Sequence, residues 1–212
     1  MTIIPAIAMV AGLALSPLML GVINRTKAVF AGRRGAPLLQ AYHDLWKLLR
    51  KGAVYSRTTS WVFRASPVVG LACVVASLTL LPVAGNPAPL SFIGDIILFV
   101  YCLGLMRFFT VIAALDTGSS FEGMGASREV EFSAIAEPAL LVSLATLARA
   151  TGSISLAGIF SGTCAPPVLA AGPAVVLAAI ALMIVFLSEN SRIPVDDPNT
   201  HLELTMIHEV MI

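Results

Sequence analysis

The chain has 212 residues, 58% of them hydrophobic and 12% charged, with a formal net charge of +1. Soluble domains carry about twice that fraction of charge, and a water-soluble fold could not hide this much apolar surface without a large exposed patch. That excludes an ordinary soluble domain, and the balanced charge gives no reason to expect nucleic acid as a partner.

A membrane-spanning helix needs about 20 mostly apolar residues. Five stretches qualify, roughly Ile3–Ile23, Pro67–Ala84, Phe92–Leu115, Phe132–Arg149 and Val168–Leu187. The expected fold class is all-α: a polytopic transmembrane helix bundle forming a single domain over residues 1–212. The first run has no basic residue before it, and Arg25 and Lys27 follow it. A cleaved signal peptide carries its basic residues in front, so this run reads as a retained anchor.

The connections alternate in character. The first, Asn24 to Ser66, holds nine of the thirteen basic residues and one acid, Asp44. The second and fourth, Gly85 to Ser91 and Ala150 to Pro167, hold no charge, whereas the third, Asp116 to Glu131, and the segment from Glu189 are charged. Lys and Arg concentrate in cytoplasmic loops. The first, third and last connections are therefore expected in the cytoplasm and the amino terminus outside. Within the first, Leu38, Tyr42, Leu45 and Leu49 recur at helical spacing, with Lys47, Arg50 and Lys51 at the far end. That pattern predicts an amphipathic helix over about 38–51 in the membrane interface. It either anchors the loop to lipid or, with Arg33 and Arg34 at its head, docks a soluble partner.

Four ionisable residues fall within or at the edges of spans: Asp95, Arg107, Glu137 and Arg149. Buried charge in a membrane costs at least ~2.5 kcal/mol near the centre, so such residues face protein or water. At 1.5 Å per residue, Arg107 and Glu137 lie about 12 and 8 Å inside the same face, with opposite signs. Asp95 and Arg149 stand near the other face, also with opposite signs. Pro138 removes an N–H and frees the carbonyl of Ala134 beside Glu137. The Arg107–Glu137 pair is either a structural tie or part of a proton path.

The third connection, with Gly118, Gly123 and Gly125, reads as a flexible or tightly turned cytoplasmic loop. It carries Asp116, Glu122, Arg128, Glu129 and Glu131. The last segment, 189–212, carries Glu189, Arg192, Asp196, Asp197, Glu203 and Glu209. On a helix starting near Asp197, His201, Thr205, His208 and Glu209 share one stripe about 100° wide. The two histidines are two turns apart, too far for a good metal chelate. Cys73, Cys102 and Cys164 form no CxxC pair, which argues against a cluster or zinc site in this chain.

Four motifs carry a family resemblance: RRGAPLLQAYHDLWKLL (Arg33–Leu49), LDTGSSFEGMGASRE (Leu115–Glu129), the AEP around Glu137, and ENSRIPVDDP (Glu189–Pro198). With them the chain resembles the NADH dehydrogenase subunit 1 family of respiratory complex I. Within it, the likeness is nearer to the membrane subunits of group 4 NiFe hydrogenases, of the formate hydrogenlyase subunit 4 type. The resemblance implies an eight-span fold, of which this chain is expected to be a truncated form or a fragment. It implies a membrane subunit, not catalytic alone, that docks a soluble electron-transfer arm and couples redox chemistry to proton or ion translocation. The site would lie in the cell inner membrane, beside soluble redox-arm subunits and antiporter-like membrane subunits. No cofactor is expected in this chain; iron–sulfur clusters, and a NiFe centre in the hydrogenase case, would sit in those partners.

Glu137 matches a buried glutamate of the family's carboxylate chain, and Glu189, Arg192, Asp196 and Glu203 match loop positions beneath the redox arm. The proton-coupling candidates are thus Arg107, Glu137, Glu189, Asp196, Glu203, His201, His208 and Glu209. The docking-loop candidates are Arg33, Arg34, Asp116, Glu122, Arg128, Glu129, Glu131 and Arg192. Asn199, Thr200 and His201 stand where family members usually carry a glutamate-rich segment, which counts against a standard quinone chamber and against hydrogenase chemistry, and leaves open a related energy-converting complex of other redox chemistry. A quinone-chamber subunit of an NADH:quinone oxidoreductase is the alternative, and a stand-alone transporter the second.

The alternation argument sets the first test. Cysteines placed at positions 33, 47, 118 and 196 should resist impermeant thiol reagents added to intact cells. Labelling of position 118 from outside would overturn the orientation.

Overall fold

The computed structural model describes residues 3–53, 55–83, 86, 88–162 and 171–190. Among them the chain is all helical, and five helices are long and apolar enough to cross a membrane. The helices are α1 (Ile3–Phe30), α2 (Gln40–Arg50), α3 (Trp61–Leu80), α4 (Asp95–Asp116), α5 (Ser120–Thr151), α6 (Leu156–Gly162) and α7 (Gly172–Glu189). Large apolar side chains stand exposed along all five long helices, Val10, Leu71, Phe108, Val142 and Phe186 among them. With most backbone groups bonded inside their own helices, such segments suit lipid and not water. The protein is a multi-pass membrane protein.

The chain forms two compact units, Met1–Tyr55 with Val83–Pro87, and Ser56–Pro82 with Ala88–Ile212. In the first, α1 runs on past Ile23 and carries Arg25 and Lys27 within the helix. It ends at Gly32, in the left-handed region with φ 65°. Gly32 N–H donates to the Val29 carbonyl and Arg33 N–H to the Ala28 carbonyl, the paired bonds of a Schellman end. The chain then doubles back. Leu38 passes so near Gly21 that any side chain there would collide with its backbone. Tyr42 of α2 donates its hydroxyl to the Ala14 carbonyl. The remaining apolar side chains of α2, Leu45, Trp46, Leu48 and Leu49, stay exposed, and the Arg50 guanidinium stacks 4.5 Å over the Trp46 ring.

The second unit is built on the α4–α5 hairpin, flanked by α3 and α7. Its core takes Leu80 from α3, Ile96 and Val100 from α4, Ala136, Leu140 and Leu144 from α5, Leu156 and Ile159 from α6, and Val185 from α7. The i, i+4 steps on α4 and α5 put these residues on one face of each helix.

The segment 116–131, expected as a flexible loop, is helical from Ser120 onward. Only the turn at Gly118, with φ 73°, separates α4 from α5. Gly123 and Gly125 lie inside α5. Gly125 and Ala126 are buried, as are Ala113 and Ala114 of α4, and Ala114 and Ala126 form a small core of their own. Small residues let two membrane helices come together closely. Ser119 and Glu122 hold the S-x-x-E spacing that marks helix starts, a sequence signal for this boundary.

Each end of the unit is pinned by an aspartate. At one, Asp116 Oδ2 accepts the Ser60 backbone N–H at 2.6 Å, tying the start of α3 to the end of α4. At the other, Asp95 is fully buried. It accepts the Leu156 N–H at 2.7 Å and the Ser155 hydroxyl at 2.9 Å. Asp95 therefore caps α6 and does not pair with Arg149, the opposite charge at the same end. A backbone N–H at a helix start and a serine hydroxyl satisfy the carboxylate locally.

Asp95→Ala removes both bonds and leaves the Leu156 N–H buried without an acceptor. The expected loss is about 2 kcal/mol, read as a lower unfolding midpoint in detergent. An unchanged midpoint would show that the cap does not hold α6.

Candidate functional site

The membrane-embedded charges of the second unit meet at Arg107. It sits on α4 nine residues before Asp116, about 13 Å along the helix, and its side chain is only 10% exposed. Its guanidinium is met from two helices. Glu129 Oε1 of α5 lies 3.2 Å from Nε. Ser133 Oγ accepts from Nη1 at 2.6 Å. Glu137 Oε1 lies 3.8 Å from Nη1. Glu189 Oε2, at the end of α7, accepts from Nη2.

Helix geometry explains the convergence. Glu129, Ser133 and Glu137 are spaced i, i+4, i+8, so they share a stripe of about 80°. That stripe faces α4. Gly104, one turn before Arg107, makes room for Glu137: a methyl there would stand 3.4 Å from Oε1. Because α4 and α7 run the same way and α5 runs back, the last turn of α7 arrives at the depth of Arg107. An arginine presents five donors in a fixed fork, and this fork spreads them over four acceptor side chains.

The charges do not balance. One guanidinium faces Glu129, Glu137 and Glu189, a formal sum of +1 − 3 = −2. Glu137 keeps the most contact with its surroundings, its side chain 44% exposed against 28% for Glu129 and 22% for Glu189. The cluster thus has a paired interior and a carboxylate on its rim.

The expected partners Arg107 and Glu137 are brought together, but Glu129 and Glu189 come nearer. Glu129 was expected in a docking loop; the extension of α5 carries it into the cluster instead. Ser133 was not singled out, although its i+4 spacing from Glu129 and from Glu137 is a readable signal.

The other candidates lie apart. Asp116 is engaged by Ser60. Glu122 is buried, and its Oε2 has no hydrogen-bond partner among the described residues. The Arg128 guanidinium stands 5.7 Å over the Phe132 ring, and Glu131 is exposed. Arg33 and Arg34 are exposed in the first unit, after the Gly32 turn. Arg192, Asp196, Asp197, His201, Glu203, His208 and Glu209 lie outside the described residues.

A sequence profile described as NADH dehydrogenase matches residues 2–210. The chain belongs to the NADH dehydrogenase family. It is 35% identical over 191 residues to formate hydrogenlyase subunit 4 of Escherichia coli (strain K12), covering 90% of this chain and 62% of that protein. It is 37% identical over 141 residues to hydrogenase-4 component C of the same organism, covering 66% of this chain and 45% of that protein. The chain thus spans less than two thirds of the length of either relative. Its fold is similar to a chain in the structure of the membrane-bound sulfane sulfur reductase, an archaeal respiratory membrane complex. That similarity has a TM-score of 0.74 at 19% identity, over 98% of this chain and 73% of the other.

For this family member the cluster makes a specific demand. Arg107→Met leaves three carboxylates together with no cation, and breaking a buried pair from one side typically costs about 3–5 kcal/mol. Glu137→Gln should cost less, because Glu129 and Glu189 still hold the guanidinium. The double variant should be milder than the sum of the two. Unfolding in detergent measures all three, and a single Arg107→Met as stable as the parent would refute the anchoring role.

Proposed function

We propose that this chain is a membrane subunit of a complex I-like redox complex, of the group 4 hydrogenase kind or a related one. It docks a soluble electron-transfer arm and couples that arm's chemistry to proton or ion translocation. The observation that carries the reading is the Arg107 cluster: three carboxylates and one cation gathered from α4, α5 and α7. A structural tie needs one carboxylate. The excess, on helices long enough to span a membrane, lets one carboxylate accept and release a proton while the others keep Arg107 held. Family membership and the named relatives support the same role.

In this reading the protein sits in the cell inner membrane with its amino terminus outside. The Arg107 end of the second unit, together with the segment from Glu189 onward, faces the redox arm. Arg33, Arg34, Arg128, Glu131 and Arg192 contribute to docking, whereas Glu122 is buried. Asp196, His201, Glu203, His208 and Glu209 extend the relay toward the arm. Electrons come from iron–sulfur clusters in partner subunits, with a NiFe centre in the hydrogenase case, and antiporter-like membrane subunits take up the coupled charge. A quinone-chamber role is the second reading. It is favoured by an apolar cleft of about 330 Å³ between α5 and α7, lined by Phe132, Ile135, Ile184 and Ser188, one residue from Glu189.

Substitution in the assembled complex tests the first reading. Glu137→Gln should leave the soluble arm bound and electron transfer intact while lowering the number of protons moved per electron. Should the variant keep the parent ratio, the cluster is structural and the coupling role fails.

A further inference from the structure

Arg149 sits in the last turn of α5, twelve residues beyond Glu137 and so about 18 Å farther along the helix. It is exposed. The acid at its end of the unit, Asp95, is fully buried and committed to Leu156 and Ser155. Among the described residues no carboxylate pairs with Arg149. An arginine at the end of a membrane helix extends its stem along apolar surface and carries its charge to the lipid headgroups.

The surface around it is grooved. On one side lies a cleft of about 520 Å³ between α4 and α5, lined by Ile97, Leu141, Ala145 and Ile154. On the other lies a cleft of about 600 Å³ between α5 and α7, lined by Val142, Thr146 and Ala174. Ala145 and Arg149 line both. They are four residues apart and form the ridge between the two grooves, with Arg149 at its head. Small Ala145 keeps the ridge low, and the exposed Leu141 and Val142 continue it toward the membrane interior.

We propose that this ridge is a phospholipid site. The Arg149 guanidinium binds the phosphodiester of one lipid, and the two acyl chains lie in the two grooves. The charge complementarity is direct, since a guanidinium fork matches phosphate oxygens in a bidentate way. The shape also fits: one cation at the junction of two apolar channels matches one anion joined to two chains. The site lies at the opposite end of α5 from the Arg107 cluster and does not depend on the role given to that cluster.

Lipid retained after exhaustive washing in detergent tests the proposal. The assembled complex is purified, and phospholipid per chain is counted by phosphorus assay and native mass spectrometry. Arg149→Met should lose one phospholipid per chain, and Arg149→Lys should keep most of it. Ala145→Phe, which raises the ridge but leaves the arginine, should also lose it; this variant keeps the test valid if Arg149→Met assembles poorly. A photoreactive side chain at position 142 should cross-link to lipid. If both Arg149→Met and Ala145→Phe retain the parent phospholipid count, or position 142 cross-links to a protein subunit, the site is not a lipid site.

Discussion

A guanidinium well inside a membrane-spanning helix must find acceptors within the protein, because the hydrocarbon core offers none. Arg107 finds them on two other helices, and most of what the second unit does follows from that demand. Each of its three nitrogens is engaged separately: Nε with Glu129, Nη1 with Ser133 and Glu137, and Nη2 with Glu189. A lysine would place its charge at one point and could not reach α5 and α7 from fixed positions at once. The arginine thus sets how α5 and α7 stand relative to α4.

That convergence needs the helices to approach closely, and small side chains permit it. Ala126 packs against Ala114 near the turn, with Gly125 and Ala113 buried beside them in sequence. Gly104 then leaves the space that the Glu137 carboxylate enters. A Cβ at Gly104 would stand in contact with that carboxylate at 3.4 Å. Asp116 on Ser60 and Asp95 on Leu156 clamp the two ends. Polar groups thus fix the register that apolar contacts alone leave loose, since in lipid one apolar surface is much like another.

The five spans were legible because length and hydropathy carry nearly all the information in a membrane helix. The depth argument also brought Arg107 and Glu137 together, since opposite charges at one depth attract whatever the detailed fold. Asp95 and Arg149, also of opposite sign near one face, do not pair. Depth and sign cannot register a backbone N–H, and Leu156 N–H competes successfully for the Asp95 carboxylate. The glycines of 118–125 misled for a related reason. Of these glycines only Gly118, with φ 73°, makes a turn; Gly123 and Gly125 lie inside α5, and Gly125 is buried there. Ser133 was hidden because a serine in an apolar span is usually content with a carbonyl of its own helix; its hydroxyl becomes part of the site only once α4 is placed against it.

The number of carboxylates in the cluster bears on what it can do. With one glutamate, neutralising that glutamate would strip Arg107 of its anion, and the helices would lose their tie at the moment a proton arrived. With three, one can be neutralised while the other two keep the guanidinium held. Glu137 is suited to be that one. It is the farthest from Arg107, at 3.8 Å, and the most exposed of the three. Its change of charge disturbs the anchor least, and Ser133 still holds Nη1 at 2.6 Å. Glu129 and Glu189 are suited to remain as the anchor, each against its own nitrogen. Under the proposed role the excess of carboxylates separates holding from carrying, so that α4, α5 and α7 keep their arrangement while the charge between them changes.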